Sequence, residues 1–171
     1  MLSSSTIGHS IAISGFTDLG TDRLSAVTRE RCTVEELPKD WPTKCFVIGG
    51  QPVTKALTKD IGKHGETLEV VYGCNEFFLS FSYHLTDTDA FPEFCCCPPL
   101  LFNGLQVKVV NEEGETVSIN TRGELWVKGP VFLKEYFHDP EKTARAVTPD
   151  GWFKTDDLAM MDEEGRFYVY G

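Results

Sequence analysis

Positive charge is what this sequence has little of. Sixteen lysines and arginines stand against twenty-six aspartates and glutamates, a net charge of -10. A nucleic-acid partner, whose phosphates want clustered Lys and Arg, is therefore not expected. Long apolar runs are missing as well: none approaches the ~20 residues that cross a bilayer, so no transmembrane segment is expected. The opening stretch MLSSSTIGHSIAISGF has neither a basic n-region nor a clean apolar h-region, and no arginine precedes Arg23. A signal or transit peptide is not expected on that pattern. The chain reads as intracellular and cytoplasmic, with a mitochondrial or peroxisomal setting left open. Spaced cysteine pairs are also lacking. Of the six cysteines, Cys32, Cys45 and Cys74 stand apart while Cys95, Cys96 and Cys97 are adjacent. Adjacent thiols reach tetrahedral zinc positions poorly, and no C-x-x-C or H-x-x-x-H supports a site. Reduced thiols are the expectation, with a metal or redox role for the triplet as the lesser alternative.

What is present divides the chain into three. A chain of 171 residues can bury a core and reads as one domain or a piece of a larger one. Residues 1–40 are polar and turn-rich and take no assignment. An α/β unit follows over residues 44–80. KCFVIGG reads as a buried strand, PVTKALTKDIGKHG as a helix and TLEVVYG as a second strand. The helix is expected to start with Pro52 at its first position, to bury Val53, Ala56, Leu57 and Ile61, and to place Lys63 and His64 in its last turn. Gly65 would supply a left-handed cap. Strand–helix–strand units bind ligands beyond the carboxyl ends of their strands, here GGQP and YGCNE. Residues 80–99 read as irregular. Residues 100–171 read as antiparallel β: LQVKVV, the EEGE turn, GELWVK with Leu125 and Val127 on one face, and GWFKT joined to RFYVYG by DEEG. Within it HDPEKTARAV reads as a short helix with Asp139 as N-cap, Pro140 first and Glu141 in the first turn.

Taken in order, GGQP, YGCNE, PPLLFNGLQVKVVNEEGETV and the block Gly123–Gly171 resemble successive motifs of the adenylate-forming acyl-CoA synthetases and luciferases. The resemblance runs over Val47–Gly171. It implies an α/β fold with an antiparallel β-barrel part, and identifies residues 41–171 as a partial AMP-dependent synthetase/ligase domain. It further implies activation of a carboxylic acid, by expectation a fatty acid, with ATP and Mg2+ to an acyl-adenylate, then transfer to coenzyme A. That is an acid–thiol ligase, a fatty acid–CoA ligase acting on small molecules. Carried over residue by residue, Gly50, Gln51 and Pro52 match the turn beside the adenine. Tyr72 matches the aromatic that stacks on the purine, and Gly73 lets the backbone approach. Asn75 stands where the family has a threonine near the α-phosphate, and Glu76 matches the magnesium carboxylate; these two are the catalytic candidates. Asp157 matches the aspartate that takes both ribose hydroxyls.

The chemistry suits these residue types. A carboxylate only accepts, so one aspartate can serve two hydroxyl donors. Magnesium takes hard oxygens, often one or two carboxylates plus phosphates. A tyrosine ring offers an apolar face while its hydroxyl stays free for a partner. Taken singly, Tyr72 reads as well as a core aromatic, Glu76 as a solvated carboxylate and Asp157 as a turn cap.

Departures from the family pattern qualify the implied activity. Asp156 replaces the glycine of TGD, where close backbone approach or positive φ is expected. Its charge, at ~6 Å from a phosphate and an effective dielectric of about 20, would cost on the order of 2–3 kcal/mol. Gln51 replaces a small residue, Asn75 a threonine and Glu135 a glycine. The Ser/Thr/Gly-rich phosphate loop ending in Pro-Lys, and the downstream arginine, hinge and lysine, do not occur in these 171 residues. The expectation is that they do not adenylate alone. The alternative is a diverged, non-catalytic relative that binds a nucleotide or a partner.

Overall fold

Two blocks of strand-forming sequence build two sheets that share an aromatic core. The computed structural model describes residues 12–17, 43–50, 52–96, 104–130 and 132–171. The first sheet has the order β1-β2-β3-β4, from β1 (Ala12–Thr17), β2 (Thr43–Gly49), β3 (Thr67–Cys74) and β4 (Phe78–Leu85). β2 and β3 run parallel, Cys45 opposite Thr67 through Gly49 opposite Val71, and α1 (Lys55–Gly62) connects them. The predicted strand–helix–strand unit is therefore present. β1 pairs antiparallel with β2, which places a strand in the segment that took no assignment. Phe46, Ile48, Leu68 and Val70 of the parallel pair bury against Val53, Ile61, Leu85 and Phe91.

The helix departs from expectation at both ends. Pro52 is not its first residue. Thr54 is the N-cap, its hydroxyl oxygen accepting from Leu57 N at 3.2 Å, which satisfies a free first-turn N–H that Pro52, two residues earlier, cannot reach. Ala56 is exposed, whereas Thr58 is buried, its hydroxyl donating to Lys55 O at 3.0 Å so that no polar atom is stranded. Lys63 forms the C-cap in a right-handed conformation, and Gly65 does not adopt positive φ. Gly65 is needed for packing instead: a Cβ there would lie 2.7 Å from the Phe46 ring.

Of the stretch 80–99, which the sequence reading takes as irregular, residues 97–99 lie outside the described residues and residues 80–96 carry regular structure. β4 pairs antiparallel with β3, a 3-10 turn spans Thr88–Ala90, and β5 (Cys95–Cys96) joins the second sheet. Consecutive Phe77, Phe78 and Leu79 blur the two-residue alternation that would have marked β4.

The second sheet is antiparallel throughout, in the order β5-β9-β8-β7-β6, with β6 (Gln106–Val110), β7 (Arg122–Lys128), β8 (Phe153–Met161) and β9 (Phe167–Val169). Leu125 and Val127 are fully buried, as their alternation predicts. α2 (Pro140–Ala146) has Asp139 as N-cap, its carboxylate accepting from Lys142 N at 2.9 Å, with Pro140 first. The core of this half, Val109, Leu125, Val127, Phe153, Ala159, Phe167 and Val169, closes over Phe77 and Phe81 from the first half. The Phe77 ring lies 5.7 Å from Phe153 and the Phe81 ring 5.4 Å from Phe167, in the tilted geometry aromatic pairs favour. Each such buried aromatic is worth roughly 1.5–3 kcal/mol, so the joint between the sheets is built like a core. Among the described residues, no helix is long and apolar enough to cross a membrane.

Candidate functional site

The joint leaves a hollow where the carboxyl ends of β2 and β3 meet β8. Gly49 sets the approach at one side: a Cβ there would stand 2.3 Å from the Val71 carbonyl oxygen, so only glycine lets β2 and β3 run this close. Gly50 then turns the chain away at φ +79. On β3 the register with β4 slips between Tyr72 and Gly73, where the backbone reaches the hollow, and resumes with Gly73 opposite Leu79.

Asp157 comes from the other sheet through a β-bulge. Glu124 pairs with Leu158 and Trp126 with Lys154, so Thr155, Asp156 and Asp157 face the single residue Leu125. Bulges of this kind bend a strand and re-aim its side chains. Three contacts hold it open. The Thr155 hydroxyl donates to Leu125 O at 2.7 Å, Asp157 N donates to Thr155 Oγ1 at 3.1 Å, and Asp156 N donates to a Glu124 carboxylate oxygen at 3.2 Å. Asp156 sits at φ +61 with its side chain exposed. Positive φ is what the residue type at this place led one to expect, and aspartate is among the few non-glycine residues that tolerate it.

The bulge brings Asp157 to Tyr72, 85 positions away in sequence, and the Tyr72 hydroxyl donates to Asp157 Oδ2. Burial first, then this hydrogen bond, holds the phenol well above its ordinary pKa, so it stays a donor. The hydroxyl expected to be available to a partner thus has one in Asp157. The Tyr72 ring itself is packed against Phe77 and Phe81, with both centroids 5.6 Å away.

Around this pair lies a cavity of about 290 Å³, at the lower edge of the roughly 300–1,000 Å³ typical of small-molecule pockets. Gly50, Pro52, Tyr72, Gly73 and Asp157, five of the sequence-predicted residues, line it together. Gln51 lies outside the described residues. Sequence reasoning missed the remaining walls: Val53, Val71, Phe94, Val169 and Gly171. Val53 and Val71 flank predicted positions and could have been inferred from them. Phe94 follows an aperiodic stretch that carries no such signal.

Asn75 and Glu76 do not line the cavity; they sit in the turn between β3 and β4, two and three residues beyond Gly73. Asn75 is exposed and Glu76 half-buried. The segment after β7 clamps this turn, with Leu133 N donating to Glu76 O at 2.7 Å and the Tyr136 hydroxyl to Glu76 Oε1 at 3.0 Å. Contact with the Cys74 thiol, then with Tyr136, holds the Glu76 carboxyl below its ordinary pKa. The converse shifts agree. Burial, with Glu76 beside it, pushes Cys74 up to about 11, and burial with the same carboxylate pushes Tyr136 up to about 12. Tyr136 was missed because KEYF drew attention only to Glu135. Lys142 Nζ lies 3.9 Å from the Tyr136 ring centroid, a close cation–π contact.

Among the described residues no cluster of three or more His, Cys, Asp or Glu could hold a metal by itself. A lone ionised Glu76 suits a magnesium ion that phosphates also ligate, and does not suit a protein-only metal cage. A second, more open hollow of about 480 Å³ lies around Tyr136, Asp139 and Thr143, and none of the predicted site residues line it.

Known proteins resemble this chain in sequence and fold. The chain is 36% identical over 128 residues to the 4-coumarate–CoA ligase-like protein 6 of Oryza sativa subsp. japonica, an overlap of 72% of this chain and 21% of that relative. It is 30% identical over 139 residues to the medium-chain fatty-acid–CoA ligase of Escherichia coli K12, covering 81% of this chain and 24% of the relative. The chain therefore spans between a fifth and a quarter of the length of these two relatives. In three dimensions it superposes on unliganded O-succinylbenzoate coenzyme A synthetase from Bacillus subtilis with a TM-score of 0.67 at 26% identity, covering 80% of this chain and 28% of that one. Residues 14–137 match the AMP-binding enzymes as a family, and the chain belongs to the AMP-binding enzyme family.

Proposed function

We propose that this chain forms the adenosine-holding part of an enzyme that activates a carboxylic acid with ATP, giving an acyl-adenylate and then an acyl-CoA. The observation that carries this reading is the Tyr72–Asp157 hydrogen bond at the wall of the cavity. It fixes a carboxylate acceptor beside a rigid aromatic ring, the two groups that recognise a ribose diol and a flat base. Asp157 accepts from the ribose hydroxyls, Tyr72 offers its ring to the purine, and Gly50, Pro52 and Gly73 let backbone close on the base edge. Glu76, kept ionised by its neighbours, is the group here that would hold magnesium, and Asn75 beside it offers an amide donor to a phosphate oxygen. Magnesium, when bound, neutralises phosphate charge during attack by the acid. A fatty acid is the acid we propose, supported by the likeness to the medium-chain fatty-acid–CoA ligase. For the 171 residues alone we expect nucleotide binding without ATP–pyrophosphate exchange.

Asp156 favours a second reading, a diverged relative that binds a nucleotide without turning it over. Its carboxylate is exposed on the bulge one residue from Asp157 and adds negative charge near Tyr136. Calorimetric titration of the chain with AMP and ATP tests the shared premise. Saturable binding of one equivalent is expected, weakened at least tenfold in Asp157→Ala, since a lost charge-assisted hydrogen bond is worth about 1.5–3 kcal/mol. Equal affinity in wild type and Asp157→Ala would overturn the placement of the ribose. Exchange of labelled pyrophosphate into ATP by a longer polypeptide containing this sequence separates the enzyme from the non-catalytic binder.

A further inference from the structure

Four non-glycine residues among those described have positive φ: Phe94, Asn120, His138 and Asp156. Asn, His and Asp are the types that tolerate this region, because short or polar side chains can be accommodated there. Phe94, at φ +62, is the exception. For a bulky aromatic that conformation is an outlier that persists only where the surroundings impose it, and such outliers gather at ligand sites.

The backbone of Phe94 is imposed from both sides. Its N–H donates to Val53 O at 3.1 Å, at the entry to α1, and its carbonyl accepts from Val169 N at 3.0 Å, on β9. These bonds tie the α/β half to the antiparallel half across the cavity. Both are made by main chain, so glycine would make them equally well and without strain. The phenyl ring must be explained separately.

Core packing does not explain it. Phe94 belongs to neither apolar core, and its side chain is only half-buried. Its ring lies beside Tyr170, centroids 5.7 Å apart, and it lines the cavity. Among the described residues, the cavity has two aromatic rings, Tyr72 and Phe94, on segments from different parts of the fold, and its other described walls are aliphatic side chains, proline, glycine and the carboxylate of Asp157. Aromatic side chains recognise planar bases through their π-faces, at little conformational cost because two torsions fix them.

We propose that Phe94 is a ligand-binding residue: its ring is the second aromatic wall of the cavity and sets its preference for a purine base. The proposal rests on the adenosine reading of the cavity. It accounts for a phenyl group kept on a backbone that favours glycine.

The test uses the 171-residue chain and two variants, Phe94→Gly and Phe94→Leu, with unliganded melting curves and titrations with AMP and UMP. Phe94→Gly loses the ring but relieves the backbone, so its melting temperature is expected to stay within a few degrees of wild type. Its affinity for AMP should fall about tenfold, and its preference for AMP over UMP should shrink by a similar factor. Phe94→Leu keeps the backbone strain and some bulk, and should retain less of that preference than wild type. A large drop in the melting temperature of Phe94→Gly would show the ring to be held for the fold and overturn the proposal. Unchanged AMP affinity or an unchanged AMP-to-UMP ratio in Phe94→Gly, with wild type binding AMP, would overturn it while leaving the adenosine reading intact. Failure of wild type to bind AMP would overturn both.

Discussion

Replacing Asp162 by Asn probes how the hairpin that carries Asp157 is held. Asp162 is 8% exposed at the β8–β9 turn, and both its oxygens are used. Oδ1 accepts from Glu164 N at 3.1 Å and Arg166 N at 2.8 Å; Oδ2 accepts from Arg166 Nε at 2.7 Å and the Tyr168 hydroxyl at 3.0 Å. An asparagine can keep the first two through its carbonyl but turns an amide donor toward two other donors. Losing these charge-assisted contacts should cost about 2–3 kcal/mol. For a chain of this length roughly 2–4 °C of melting temperature goes with each kcal/mol, so Asp162→Asn should melt about 5–10 °C lower at pH 7. The pH dependence has a definite sign. Burial pushes the Asp162 carboxyl up, but the Arg166 N–H, the guanidinium and Tyr168 outweigh it and hold the pKa below its ordinary value. With the folded pKa depressed, the native state binds fewer protons than the unfolded one. The stabilisation is then full above the unfolded pKa of about 3.9 and is lost as pH falls through the lower folded value. Melts followed by circular dichroism from pH 8 to pH 3 should show a constant gap between wild type and variant down to about pH 5, closing below pH 4. No gap at pH 7, or one that persists undiminished at pH 3, would refute the assignment of this stability to an ionised Asp162.

Two further substitutions examine the frame of the cavity. Gly49→Ala puts a Cβ 2.3 Å from the Val71 carbonyl oxygen, a backbone atom that cannot swing aside. It should cost at least ~1–3 kcal/mol in denaturant unfolding and weaken AMP binding by parting β2 from β3; a wild-type unfolding midpoint would contradict the packing described. On the second sheet, Lys108 Nζ lies 4.7 Å from the Trp126 centroid and 4.6 Å from that of Trp152. A double-mutant cycle of Lys108→Gln and Trp126→Leu should give a coupling of about 0.5–1 kcal/mol, and additive losses would show the contact to be without energetic weight.

How far the sequence could be read depends on the range of the interactions involved. Local rules sufficed where the determining contacts lie within a few residues: Asp139 capping α2, Leu125 and Val127 alternating inward, and the DEEG turn, with Arg166 N on Asp162 Oδ1, rest on partners at most four positions away or on strand period. They failed where a neighbour distant in sequence decides. Gly65 reads as a left-handed cap from its place after the helix, yet its reason is the Phe46 ring across the sheet. β4 escaped because its apolar residues serve two cores at once, Phe81 packing with the second half and Leu85 with the first. The site shows the same division. Its residue types were legible, but the Tyr72–Asp157 bond depends on a β7–β8 register in which three residues face one. No pattern within a single strand encodes that register.

The bulge also changes how the substitution at Asp156 should be weighed. The sequence places an extra negative charge one residue from Asp157, and a dielectric of about 20 at ~6 Å makes that worth on the order of 2–3 kcal/mol against a phosphate. That dielectric is the one for a pair near a protein surface, and Asp156, exposed and itself in the left-handed conformation, is such a group. With its carboxylate turned fully into water the same separation would be worth only about 0.7 kcal/mol, and salt screens it further. The backbone requirement is met as well, since aspartate is one of the few side chains that tolerate φ near +60°. Its N–H is satisfied by Glu124 and the next residue still delivers its carboxylate to Tyr72. An aspartate here therefore leaves the Tyr72–Asp157 contact standing, and on the proposed nucleotide reading its charge would act on a phosphate between these two limits, in a salt-dependent way. Asp156 thus bears on the non-catalytic reading through its charge and not through the placement of Asp157.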